Sequence, residues 1–128
     1  MDKELEDKII AIAPHMFVYE GSTDMTKSLM CFGFDCGNGW YEIFRELFTK
    51  LEAIDTEKQI RVVQIKEKYG SLRVYLGSYF TDEIDKLIRE AEIASSKTCE
   101  VCGKEAATMT FDHWCSTLCQ TCRTGDHK

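Results

Sequence analysis

Apolar positions along the chain fall into three stretches of helical period and one of strand period. Leu5, Ile9 and Ala13 recur every four residues, and Ile10 and Ile12 widen the stripe. That spacing predicts a short helix over 2–13, stopped by Pro14. A longer stripe of Tyr41, Phe44, Leu47, Phe48 and Leu51 turns Glu42, Arg45, Glu46 and Lys50 to the opposite face. It predicts an amphipathic helix over 40–53. A third stripe, Ile84, Leu87, Ile88, Ala91 and Ala94, predicts a helix over 82–96. Thr81 is its N-cap, and Asp82, Glu83 and Asp85 suit the positive end of its dipole. Between the last two, Ile60–Ile65 is β-branched and apolar, Gly70 marks a turn, and Leu72, Val74 and Leu76 alternate with Arg73 and Tyr75. This predicts a β-hairpin over 60–76, reached from the second helix through a polar link at Asp55–Lys58. The chain shows no repeats, low-complexity segments or flexible linker. The expected architecture is one α+β domain over 1–128. Three helices pack on a small antiparallel hairpin in a core of residues 1–96, and a C-terminal element follows over 97–124.

Residues 15–38 resist this reading. His15–Tyr19 is apolar but short, and Gly21–Asp24 is a turn cluster. Gly33, Gly37 and Gly39 then fall within seven residues, interleaved with Phe32, Phe34 and Trp40. Such a segment bends repeatedly or lies close against something. Asn38 or Gly39 is the expected N-cap of the helix that follows. A ligand cradle at Gly37-Asn38-Gly39 is the alternative, but no G-x-G-x-x-G or G-K-[ST] motif supports a nucleotide site. Cys31 and Cys36 read as small core hydrophobes, with metal ligation or thiol reactivity as alternatives.

The C-terminal element carries the chemistry. It reads T-C-E-V-C-G-K at one end and T-L-C-Q-T-C-R at the other, which gives C-x2-C-x16-C-x2-C from Cys99, Cys102, Cys119 and Cys122. Two residues between cysteines let a tight turn aim both sulfurs at one ion, and two such turns complete a tetrahedron. Gly103 permits the positive φ that points amide groups at the sulfurs. Two matched pairs followed by a turn glycine favour a metal over a disulfide or a redox C-x2-C. Four thiolates close the coordination sphere, so the ion, zinc by ligand type, is expected to be structural. Iron in the same ligands would carry electrons, but nothing else in the chain points that way. Cys115 lies four residues before Cys119 and would share a face with it if this piece were helical, which makes a site of Cys99, Cys102, Cys115 and Cys119 the alternative. Cys122 is preferred because it restores the symmetric pair, and His113 is a weaker ligand candidate.

Length and charge narrow the function. The chain has 128 residues and a formal net charge of −6. Residues 96–128 balance to zero, with Lys97, Lys104, Arg123 and Lys128 against Glu100, Glu105, Asp112 and Asp126, so the excess lies in residues 1–95. Nucleic-acid binders usually present a basic face; this field has the opposite sign and suits a basic protein surface. Arg61, Lys66, Lys68 and Arg73 on the hairpin are the best candidates for phosphate contact. The mixed-charge N-terminus has no apolar signal region, and seven cysteines are an odd number. A reducing cytoplasm is therefore expected, with no membrane association. With three histidines, no H-E-x-x-H, no H-x-E…P-C-x-x-C deaminase pattern and a closed metal site, no enzyme is expected.

The order M-C-F-G-F-D-C-G-N-G-W-Y, V-V-Q-I-K-E-K-Y-G-S-L-R-V-Y, T-C-E-V-C-G and T-L-C-Q-T-C resembles a widespread family of small phage and prophage zinc-binding proteins, and is similar to Cas9-directed anti-CRISPR metalloproteins. The resemblance covers nearly the whole chain. It implies a phage origin, zinc at Cys99, Cys102, Cys119 and Cys122, and a role as an inhibitor that binds a Cas9-type nuclease of the bacterial host. Cys115 departs from the family pattern. The alternative is a nucleic-acid-binding zinc-ribbon regulator of a phage.

Overall fold

The computed structural model describes residues 1–17, 33–77, 79–111 and 113–124. The expected turn at Gly21–Asp24, and Cys31 and Phe32, lie outside them. The architecture is α+β, as the pattern predicts: helices on a small mixed sheet, followed by a C-terminal element of a cysteine-bearing turn, a two-stranded sheet and a short helix.

Helix α1, Lys3–Ile12, buries Ile9. Pro14 does not simply end it but opens a 3₁₀ turn, Pro14–Phe17. Proline fits a first helical position because its missing N–H has no partner there. The turn folds the chain back so that Ala13 and Met16 are fully buried.

Strand β1, Phe34–Asp35, was not legible as a strand. It pairs parallel with strand β2, Val62–Lys68, placing Phe34 opposite Ile65. The sheet is therefore mixed rather than a hairpin alone. β2 pairs antiparallel with β3, Ser71–Leu76, through a tight turn at Tyr69–Gly70. Both turn residues have positive φ, +55° and +85°, as a two-residue hairpin requires.

Helix α2, Tyr41–Ile54, buries Phe44, Leu47, Phe48 and Leu51. The expected cap differs. Asn38–Trp40 form a 3₁₀ turn running into α2, and no side chain caps the helix. The Asn38 carboxamide oxygen instead accepts the Asp2 amide at 2.7 Å, tying this turn to α1. Rings of Phe17, Phe34, Phe44 and Phe48 meet at 5.1–6.4 Å between centroids.

The polar link after α2 is a built turn. Asp55 is buried and accepts the amides of Gln59 at 2.8 Å and Ile60 at 3.1 Å. His15 Nε2 lies 2.6 Å from Asp55 Oδ2, and its Nδ1 lies 3.5 Å from Glu52. Burial works against the Asp55 charge, but hydrogen bonds from His15 and the two amides outweigh it and hold the carboxyl below its ordinary pKa.

Helix α3, Asp82–Ser95, starts as predicted, with the Thr81 hydroxyl accepting the Ile84 amide at 3.2 Å. Its last residue closes the sheet edge. The buried Ser95 hydroxyl accepts the Leu72 amide of β3 at 2.9 Å and donates to the Glu92 carbonyl. α2 packs against both α1 and α3. Among the described residues, no helix is long and apolar enough to cross a membrane.

Candidate metal centre

The cysteines arrive on two turns. The first follows α3 directly: Thr98 bridges to Glu105, the Cys99 amide donates to the Lys104 carbonyl at 2.7 Å, and the Gly103 amide donates to the Cys99 carbonyl at 2.9 Å. Gly103 has φ +81°, as the spacing requires. The chain then forms β4, Ala107–Phe111, and β5, Trp114–Leu118, an antiparallel pair. Cys119 follows β5, and Cys122 lies in the short helix α4, Gln120–Thr124.

These turns bring the four sulfurs of Cys99, Cys102, Cys119 and Cys122 within 4.8 Å of one another. Cys102 and Cys119 stand 3.5 Å apart. A tetrahedral ion with zinc–sulfur bonds of about 2.3 Å needs sulfurs about 3.8 Å apart, so the donor set fits a four-thiolate site.

The thiols are poised unequally. Burial opposes ionisation of Cys99, but the amides of Cys119, Cys102 and Val101 aim at its sulfur and bring its pKa down to about 6. The Cys122 amide, reinforced by neighbouring thiols, lowers Cys119. Cys122 is pushed up by burial and by the other three sulfurs. For Cys102, the Lys104 amide favours the thiolate, but burial and the Cys119 and Cys99 thiols prevail and raise it. Without an ion the cluster holds protons that four thiolate ligands must lose, so metal binding releases them.

The remaining cysteines stand apart. Cys115 lies in strand β5, so the condition for its sharing a helical face with Cys119 is not met. Its sulfur is 3.3 Å from the Thr110 hydroxyl instead. His113 sits at the β4–β5 turn with φ +66° and is outside the cluster. Cys36 packs against the core, and burial pushes its thiol up to about 12, which disfavours reactivity. The hairpin cations are mostly occupied within the protein. Arg61 donates to the carbonyls of Lys58 and Ile60, Arg73 lies 3.6 Å from Glu92, and Lys68 sits 5.5 Å from the Tyr69 ring centroid. Arg123 is a structural cation: its guanidinium donates to the carbonyls of Ala107, Ser116 and Leu118, binding α4 to the β4–β5 pair.

The glycine-rich segment lies directly against the first cysteine turn. The Gly39 amide donates to the Glu100 carbonyl at 2.7 Å. The Gly37 amide donates to the Glu100 carboxylate at 2.9 Å, and the buried Trp40 indole to the Thr98 carbonyl at 2.9 Å. A Cβ on Gly39 would stand 2.0 Å from the Cys99 carbonyl oxygen, and one on Gly37 2.3 Å from the Glu100 carbonyl oxygen. The glycine spacing signalled a close approach; the partner, some sixty residues away, had no local signal.

No family model, curated protein or solved structure matches the chain.

Proposed function

We propose that this is a non-enzymatic phage or prophage protein that holds structural zinc at Cys99, Cys102, Cys119 and Cys122 and acts by binding a host protein, a Cas9-type nuclease in the bacterial cytoplasm. The observation that carries the binding role is the closed four-thiolate cluster seated against the core. Four protein ligands leave no position for substrate, so the metal shapes a surface rather than a reaction. Of the exposed aromatics, Tyr69 and Trp114, 68% and 71% exposed, line a cleft of about 330 Å³ between the tips of the two hairpins. Exposed Trp and Tyr are typical anchors of protein interfaces. The net charge of −6 suits the positively charged channel of an RNA-guided nuclease, and the choice of that partner rests on the resemblance. Four sulfur donors suit zinc, and the choice of zinc over iron in the same ligands rests on the resemblance.

The nucleic-acid reading is weakened by the net charge of −6 and by the engagement of Arg61 with the Lys58 and Ile60 carbonyls and of Arg73 with Glu92. The test is a pull-down of tagged protein from a bacterial lysate containing a Cas9–guide complex, with bound protein and nucleic acid both identified. Recovery of the nuclease, weakened by added salt, is the expected result. Recovery of DNA or RNA alone would replace this reading with the zinc-ribbon regulator. Recovery of neither would refute the nuclease partner.

A further inference from the structure

We propose that metal occupancy at the four cysteines controls the fold of the N-terminal core, with residues 37–40 carrying the coupling between the cysteine turn and helix α2. The inference rests on the metal reading of the four cysteines proposed above and not on the identity of the partner.

The first cysteine turn cannot hold its shape through apolar burial. Within Thr98–Lys104 only Cys99 is buried, and Val101 is 45% exposed. A turn this poor in buried apolar surface depends on its metal for folding free energy. Yet the core depends on that turn. It supplies the Thr98 carbonyl for the Trp40 indole, the Glu100 carbonyl for Gly39 and the Glu100 carboxylate for Gly37. If the turn opens, Gly37 and Gly39 lose their acceptors on Glu100 together, and Thr98, which is also tied to α3 through Ser95 and Ala94, keeps its place only from that one side. Trp40 is fully buried at the start of α2, and the adjoining β1 places Phe34 in edge contact with Phe44 of α2 at 5.5 Å. Loss of the turn therefore reaches the aromatic core through one short segment.

A second link runs from the same element. The Glu100 amide donates to the Thr117 carbonyl at 2.9 Å, and the Thr117 hydroxyl donates to the Gly70 carbonyl in the β2–β3 turn. A Cβ on Gly70 would stand 2.7 Å from the Thr108 methyl. The Gly37–Gly39 segment thus docks on backbone of the cysteine turn, and the Gly70 turn on threonine side chains of the β4–β5 pair that joins the two cysteine pairs. Coupling of this kind is reciprocal: the core must strengthen metal binding as the metal strengthens the core.

The test uses the full chain with Trp114→Phe, which leaves Trp40 as the single tryptophan. Zinc is removed with a chelator, and its release is quantified colorimetrically. The expected result is a red shift of Trp40 emission and loss of amide-exchange protection at Gly39 and through Phe44 of α2, both reversed by zinc. Complete zinc release with unchanged emission and unchanged α2 protection overturns the proposal. The converse arm keeps all four cysteines and substitutes Gly37→Ala. Zinc affinity, measured by competition, should fall by about 10-fold or more, the scale of outer-shell changes at metal sites. If that variant does not fold, Glu100→Ala, which adds no atoms and removes the Gly37 acceptor, should show the same loss. Unchanged affinity in the folded variant refutes the coupling.

Discussion

Gly39→Ala sets two opposing effects against each other, and their magnitudes decide the sign. Gly39 lies in a 3₁₀ turn, outside the positive-φ glycines, so alanine is locally allowed there. Reduced unfolded-state entropy would stabilise the variant by about 0.4–1 kcal/mol. Against this, the new Cβ would stand 2.0 Å from the Cys99 carbonyl oxygen, 2.6 Å from the Gly103 nitrogen and 2.7 Å from the Glu100 carbonyl carbon. All three are backbone atoms, so no side-chain rotation relieves the contact. Ordinary van der Waals separation requires the cysteine turn and the 37–40 segment to part by more than 1 Å, which breaks the Gly39–Glu100 bond and the Trp40–Thr98 bond. Each buried group left unpaired costs about 1–3 kcal/mol. The two together outweigh the entropic gain, and the net loss is about 1–5 kcal/mol. For a chain of this size, that lowers the thermal midpoint by roughly 3–25 °C. Differential scanning calorimetry of the zinc-loaded protein measures it. A midpoint at or above that of the parent would refute the close approach of these backbones.

Further expectations address separate parts of the molecule. Cys99→Ser and Cys119→Ser should lose stoichiometric metal and cooperative unfolding of residues 97–124, whereas Cys115→Ser should retain about one zinc per chain; elemental analysis of purified variants distinguishes these outcomes. Ser95→Ala orphans the buried Leu72 amide and should cost about 1–3 kcal/mol in urea denaturation, with a near-parental midpoint counting against the edge-closing role. The folded-state pKa of Asp55 is lowered, so its stabilisation is present above the unfolded aspartate value of about 4 and is lost as pH falls through the lower folded value. The stability gap between the parent and Asp55→Asn should therefore narrow as pH falls through that range, and a gap independent of pH would exclude the charge as its origin. Thr81→Ala should cost about 1 kcal/mol through loss of the α3 cap, read as a shift in denaturation midpoint.

Helices α2 and α3 were legible because each presents a long apolar stripe, and their observed bounds, Tyr41–Ile54 and Asp82–Ser95, lie within a residue of those expected. The metal cluster was legible because its ligands are two local pairs with a fixed spacing. Cys115 was ambiguous while its segment could be helical; the β4–β5 pairing places it in a strand, outside the cluster of the other four. Strand β1 escaped because two residues cannot display a period, and its partner β2 is distant in sequence. The His15–Asp55 contact and the seat of Gly37–Trp40 on the cysteine turn escaped for a related reason: local pattern reports which face a residue presents, not which remote backbone meets it. Asn38 illustrates the limit of capping rules, since its side chain reaches the Asp2 amide rather than the helix that follows it.

The seat of Gly37–Trp40 also imposes an order of events in time. Gly37 and Trp40 find their acceptors 63 and 58 residues further along the chain. At about 5–20 residues per second of synthesis, roughly 3–12 s pass between emergence of the Gly-Asn-Gly-Trp segment and emergence of the turn that receives it. For that interval every nascent copy carries an unpaired indole and an incomplete start to its central helix. Folding therefore finishes only after nearly the entire chain has been made.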